Sequence, residues 1–260
     1  MKVLFFAILI ALSFSSVEAD NNHTFYCDEQ AQGMELKNIQ QAVSKAFMSC
    51  FIDRKTDKLD ELVTELDNYH KKSKNQIFLY WKAYTLYHKS IYYLKDSDKD
   101  HAYTILKEGI EILKSIDRKN SEDYALLSML QNFSCQFITF PEIANVSKEA
   151  GQHIELAIEL DPNNPRAYYV MASNDFYTPE QYGGGKLVEK HALRAISLPS
   201  QKTNNPYLPS WGKQESYEML TNWYIKKGRL EAAAKYIKEG LKEFPDSYVL
   251  QTNQKRLDKN

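Results

Sequence analysis

The sequence predicts an all-α fold, and three observations support this prediction. Apolar residues recur at spacings of three and four along most of the chain, which is the period of an amphipathic helix. No stretch of the mature chain alternates apolar and polar residues between glycine-type turns, as a half-buried strand would. The 260 residues include nine Gly and eight Pro, fewer turn-forming residues than an all-β protein needs.

The apolar pattern divides into about ten helical segments. Two features mark their ends. Asn164 and Pro165 suit an N-cap and a first helical turn, and Gly228 suits the position after a helix C-terminus. Residues 199–209, rich in Asn and Pro, are predicted to form an irregular connection. The predicted helices span residues 36–51, 59–69, 77–94, 101–116, 124–140, 146–160, 166–176, 186–198, 214–227 and 230–244.

The first nineteen residues have the pattern of a secretory signal peptide. Lys2 precedes an unbroken apolar run over residues 3–12, and small residues stand at 17 and 19. The run is short for a membrane anchor, which needs about 20 residues. We therefore expect cleavage after Ala19 and a secreted or periplasmic protein without a membrane span in its mature chain. Residues 20–34 are expected to be a flexible N-terminus, 35–250 a helical repeat domain, and 251–260 a C-terminal tail.

Small residues recur at offsets of four and three in the second helix of successive pairs. A proline then follows at the end of the pair, and the spacing lets two helices approach closely. Three sets carry this pattern: Ala150, Ile154, Ala157 and Pro162; Val188, Ala192, Ala195 and Pro199; and Ala233, Ile237, Gly240 and Pro245.

The repeats resemble the tetratricopeptide repeat (TPR) family, most clearly over residues 140–250. The last repeat carries the match at Tyr217, Leu220, Tyr224, Gly228, Ala233, Ile237, Gly240 and Pro245. It departs from the family at Thr221, where a Gly or Ala is common. The preceding repeat keeps Tyr168, Met171 and Ala172 but inserts residues 177–185 before its second helix. With this insertion the chain resembles exported bacterial envelope proteins that contain such repeats.

The resemblance implies an α-α superhelix with a concave groove lined by the first helix of each pair. A protein or peptide segment would bind there, its aromatic contacts serving as anchors and its polar contacts setting the register. The family positions that face the groove correspond to Arg166, Tyr169, Ser173 and Phe176 in one repeat, and to Glu215, Glu218, Asn222 and Ile225 in the next. The alternative is a solvated helix face.

The sharpest local feature is the run Gly183-Gly184-Gly185-Lys186. One interpretation is an anion site made by backbone N–H groups, a helix N-terminus and Lys186. The run lacks the spacing of a phosphate-binding loop and follows a helix rather than a strand. The favoured interpretation is a tight turn between helices, in which glycine supplies a positive φ.

No catalytic or metal-binding motif is present. Glu149 and His153 share a helix face without a third ligand, and no nucleophile elbow or dinucleotide fingerprint occurs. The net charge of −1 argues against nucleic acid as a partner. Two of Cys27, Cys50 and Cys135 could pair, and the sequence does not choose between pairing and buried thiols.

Six aromatic residues cluster in the third predicted helix. They could stack on bases or sugars, but their helical spacing favours core packing. They are Tyr80, Trp81, Tyr84, Tyr87, Tyr92 and Tyr93.

The sequence therefore predicts a non-enzymatic interaction protein, without a cofactor or metal, that holds a protein segment. The alternative is a small-ligand carrier or an accessory protein of solute uptake, and an enclosed pocket lined by Tyr and Trp would favour it. An enzyme built on the helical scaffold is the remote third possibility.

Overall fold

The computed structural model describes residues 38–199 and 205–258, and this part of the chain is all-α, as predicted. It holds eleven α-helices, one 3-10 helix (Glu180–Tyr182) and no strand. The α-helices are α1 (Ile39–Asp53), α2 (Asp57–Ser73), α3 (Ile77–Lys95), α4 (Lys99–Ser115), α5 (Ser121–Ser134), α6 (Glu142–Leu160), α7 (Pro165–Tyr177), α8 (Val188–Ser197), α9 (Lys213–Lys226), α10 (Leu230–Glu243) and α11 (Tyr248–Leu257). The predicted signal peptide and residues 20–34 lie outside the described residues.

Local sequence signals explain several helix ends. The Asn164 side chain accepts the backbone N–H of Arg166 at 2.9 Å, so this residue caps α7 as predicted. Gly228 has a φ of 70° just after α9, the left-handed conformation expected there. The Ser247 hydroxyl caps one further helix, α11, which continues past residue 250, where the repeat domain was predicted to end.

Most predicted boundaries differ from the structure by one to six residues, and two of the differences have a clear local cause. Helix α5 ends at Ser134, six residues before the predicted end at 140, and the chain turns before Pro141. Helix α8 begins at Val188 rather than 186, because the Asp175 carboxylate accepts the N–H groups of Leu187 and Val188 at 2.6 and 2.8 Å. The end of α5 and the start of α8 depend on turns, and the spacing of apolar residues does not predict the geometry of a turn.

Successive helices pack against one another, and the small residues of the predicted seams lie between them. Ala150, Ala157, Ala192 and Ala233 are fully buried. A Cβ on Gly240 would lie 2.7 Å from the Leu250 side chain and 3.1 Å from the Tyr217 ring. Only glycine therefore lets α10 approach α9 and α11 this closely.

The odd-numbered helices form an inner layer. Each of α1, α3, α5, α7 and α9 contacts the next odd-numbered helix, and no comparable contact joins successive even-numbered helices within the described residues. Neighbours that touch on one side and diverge on the other form a curved array. The odd-numbered helices line its concave side.

Candidate functional site

The concave side carries a cluster of aromatic rings. We call this surface the aromatic groove. It is formed by Phe47 of α1, Tyr84, Tyr87 and His88 of α3, Phe133 of α5, Tyr169 and Phe176 of α7, and Trp211 before α9.

Trp211 forms the floor of the aromatic groove. Its indole stacks on the Tyr84 ring, with centroids 5.9 Å apart at 21°, and meets the edge of Tyr169 at 5.9 Å. Its Nε1–H donates to the Tyr80 hydroxyl at 2.8 Å. Tyr84 and Trp211 are buried, whereas Tyr169 is half-buried and keeps accessible surface.

The segment 205–212 crosses the groove and closes one end. Gln40, in the first turn of α1, accepts the backbone N–H groups of Ser210 and Trp211 at 2.8 and 3.1 Å. Trp81, near the start of α3, donates its Nε1–H to the Tyr207 carbonyl at 2.6 Å. The crossing lies over the N-terminal turns of the inner helices, so access to the groove is from their later turns.

A buried ion pair supports this closed end. Arg166 is fully buried and makes a two-pronged contact with the carboxylate of Glu122, which is 7% exposed. A third donor of the guanidinium reaches the Trp211 carbonyl at 3.1 Å. The pair thus joins α5, α7 and the crossing segment.

The open part of the aromatic groove surrounds His88. The imidazole lies 4.9 Å from the Phe47 ring, 4.5 Å from Tyr84 and 5.4 Å from Tyr87, measured between centroids. Tyr87 in turn meets the edge of Phe133 at 5.0 Å. Tyr87, His88 and Phe133 are half-buried, as expected for the wall of an open groove.

The electrostatics of the groove favour neutral groups. Burial raises the pKa of the Tyr84, Tyr87 and Tyr169 phenols well above the usual range, and Glu215 adds to the rise at Tyr84 and Tyr169. Burial alone lowers the pKa of His88 to about 4. Burial also raises the pKa of Glu215, against the opposing effect of the Gly212 N–H that its carboxylate accepts at 2.6 Å.

A small cavity lies where α7 and α9 end. Its volume is about 140 Å³, and Phe176, Tyr177, Trp223 and Lys226 are among its walls. The Lys226 ammonium lies 5.9 Å from the centre of the Phe176 ring, so cationic groups stand at this edge of the aromatic groove. The cavity alone is too small for a ligand of drug size, which needs about 300 Å³ or more.

Four of the eight predicted groove residues have side-chain surface on or beside the aromatic groove. Tyr169 and Phe176 belong to it, and Ser173 is half-buried on the same helix. Glu215 is half-buried and close enough to Tyr84 and Tyr169 to affect their titration. A fifth residue, Ile225, packs against the hydrophobic cluster of Ala172 and Leu220, which Tyr169 and Phe176 also contact.

The other three predicted residues hold the fold. Arg166 has no exposed surface, because its guanidinium is used by Glu122 and Trp211. Glu218 accepts the Ser247 hydroxyl at 2.6 Å, and Asn222 accepts from Asn253 at 2.9 Å. Glu218 and Asn222 thus contact α11 and its N-cap, although Asn222 stays exposed.

The glycine run forms a tight turn whose donors are satisfied by the protein itself. Gly183 and Gly185 have φ values of 95° and 78°, and the Gly185 N–H donates to the Asp175 carbonyl at 2.9 Å. The Asp175 carboxylate takes the position at the N-terminus of α8 that an anion would take. Lys186 is exposed. This geometry favours the turn over the anion site.

The predicted set missed Tyr84, Tyr87, His88 and Trp211. The sequence favours a core position for Tyr84 and Tyr87. Their period is that of any buried helix face, and only the curvature of the array distinguishes a groove wall from a core. Trp211 stands in a connection predicted to be irregular, where periodicity carries no signal.

Other chemistry is limited within the described residues. Cys50 and Cys135 are free thiols, and Cys27 lies outside the described part. No group of three or more His, Cys, Asp or Glu there is arranged to hold a metal ion. No helix among residues 38–199 and 205–258 has the length and hydropathy to cross a membrane.

Comparison with solved structures finds a similar fold in the HusA haemophore from Porphyromonas gingivalis. The TM-score is 0.51 and the sequence identity 20%, over 72% of this chain and 94% of that chain. At this identity the likeness shows a common fold alone. No family model matches the sequence, and no curated protein matches it, so the tetratricopeptide assignment remains a prediction.

Proposed function

We propose that this protein is an exported, non-enzymatic carrier of a flat, largely apolar small molecule of the haem class, bound in the aromatic groove. The observation that carries the proposal is the set of half-buried rings around Tyr87, Phe133 and Tyr169. Flat ring systems stack on such side chains, gaining about 1–3 kcal/mol for each contact. The similar fold of a haemophore and the predicted signal peptide support it.

A flat ring system fits this groove better than the protein segment that the family resemblance implies. A bound peptide needs polar side chains to pair with its backbone. Arg166 and Glu218, two of the residues expected to supply them, are engaged within the fold. We therefore favour the small-ligand alternative, on a scaffold of TPR-like helical pairs.

Titration with metal-free protoporphyrin IX and with ferric haem tests the proposal. Trp211 lies in the groove, so we expect its fluorescence to be quenched on binding. Replacing Tyr169 by Leu keeps the bulk of the side chain but removes the stacking ring, and should weaken both ligands about tenfold. The control is Tyr248→Ala on α11, a residue that is 79% exposed and outside the groove.

Two results would contradict the proposal. One is the absence of saturable binding of either ligand to the wild-type protein. The other is binding that Tyr169→Leu and Tyr248→Ala affect equally, which would place the ligand outside the aromatic groove.

A further inference from the structure

His88 is a polar side chain in apolar surroundings that the fold does not explain. Its Nδ1 is buried and has no hydrogen-bond partner among the described residues. Its three aromatic neighbours, Phe47, Tyr84 and Tyr87, contact the imidazole through their rings. A buried polar group in a native protein is usually satisfied, because an unpaired one costs about 1–3 kcal/mol. The other ring nitrogen, Nε2, is not among the buried atoms without a partner, so it keeps accessible surface on the wall of the groove, where a ligand can reach it.

The position suits metal coordination. The ring is only half-buried, and the burial of Nδ1 leaves Nε2 as the nitrogen for a ligand. A coordinating histidine must be neutral. Here burial keeps it so, because it lowers the pKa of His88 to about 4.

A bare metal ion would need several protein ligands, and no such group exists within the described residues. The iron of haem is already held by the four nitrogens of the porphyrin, so one side chain is enough to bind it axially, and histidine is a common choice. Tyrosine is the other donor in the groove. It binds iron as the phenolate, which the raised pKa values of Tyr84 and Tyr87 disfavour.

We propose that Nε2 of His88 coordinates the iron of haem bound in the aromatic groove, with the rings around it stacking on or enclosing the porphyrin. The inference rests on the proposed function and adds to it a preference for the iron-containing porphyrin over the metal-free one.

The test compares ferric haem with metal-free protoporphyrin IX on the full mature chain. Wild-type protein should give an absorption and electron-paramagnetic-resonance signature of nitrogen-ligated iron. His88→Ala should lose that signature and bind haem about tenfold or more weakly, because the coordinate bond is gone. Its affinity for metal-free protoporphyrin should fall by less than its affinity for haem, because there a ring contact is lost but no coordinate bond. Added imidazole should enter the vacated space and restore the signature.

Two further variants separate ligation from packing. His88→Phe keeps an aromatic ring in the groove but has no nitrogen to bind iron. It should lose the signature and the haem affinity as His88→Ala does, and added imidazole should not restore the signature. His101→Ala, an exposed histidine of α4, should keep the wild-type signature.

The outcomes distinguish the two proposals. If wild-type protein binds neither porphyrin, both fail. If it binds both and His88→Ala keeps the nitrogen-ligated signature, the carrier function stands and the role of His88 is overturned. Loss of metal-free protoporphyrin binding in both His88→Ala and His88→Phe would also overturn it, since His88 would then act through packing.

Discussion

The guanidinium of Arg166 is fully buried, and its carboxylate partner Glu122 is almost so. Breaking such a pair leaves one charge without compensation in a medium of low polarity. We expect Glu122→Ala to lower the free energy of unfolding by about 3–5 kcal/mol. The double variant Glu122→Leu/Arg166→Met removes both charges and should lose clearly less. Urea unfolding measures both, and a single variant within about 1 kcal/mol of wild type would show that the charge is compensated elsewhere.

His88 makes stability depend on pH in a definite direction. Its folded pKa of about 4 lies below the unfolded value of about 6.5. Above pH 6.5 the group is neutral in both states and contributes nothing. As pH falls from 6.5 towards 4, the unfolded state takes up the proton first, so the free energy of unfolding decreases by at most about 1.4 kcal/mol per pH unit.

Urea unfolding at pH 7 and pH 5 checks this effect. His88→Phe lacks the titrating group and should lose less stability between these two pH values than the wild type does. The comparison cancels the contributions of His153 and His191, whose pKa values burial also lowers. Equal losses in wild type and variant would mean that His88 titrates normally in the folded protein.

At the scale of elements, the turn between α7 and α8 depends on one glycine. A Cβ on Gly184 would overlap the carbonyl group of Thr178, whereas a Cβ on Gly151 in α6 would meet nothing within 4 Å. We expect Gly184→Ala to destabilise the protein by about 1–3 kcal/mol. Gly151→Ala is the matched control and should be neutral or stabilising by up to about 1 kcal/mol. Thermal unfolding compares them, and equal midpoints would contradict the assigned role of Gly184.

The elements also show how far the sequence predicts this fold. Helices, their small-residue seams and the cap at Asn164 follow from local patterns, and the structure agrees with them. The closed end of the groove does not, because Gln40 and Ser210 meet across 170 residues. Arg166 matches a groove position of the family, and its buried partner lies 44 residues away, where no local pattern indicates it. The local spacing of apolar residues predicts neither the Gln40–Ser210 contact nor the Arg166–Glu122 contact.

At the scale of the whole molecule, the crossing segment distinguishes this protein from an open repeat array. In an open array each repeat contacts its neighbours alone, so the two ends can unfold separately. Here residues 205–212 connect α9 to α1, α3 and α7 through Gln40, Tyr80 and Arg166. Loss of either half should therefore destabilise the other, and we expect one cooperative transition in which circular dichroism and tryptophan fluorescence coincide.

Replacing Trp211 by Ala removes the ring that joins α3 to α7 and the donor to Tyr80. Truncation of a buried Trp costs about 3–5 kcal/mol. The shape of the urea unfolding transition is a better test than its midpoint, because the two halves of the variant would be free to unfold one after the other. The urea dependence should become shallower or split into two steps. Tyr248→Ala, at an exposed site, should keep the single wild-type transition. A Trp211→Ala protein that unfolds at lower urea in one equally steep step would show that contacts between neighbouring helices suffice for cooperativity.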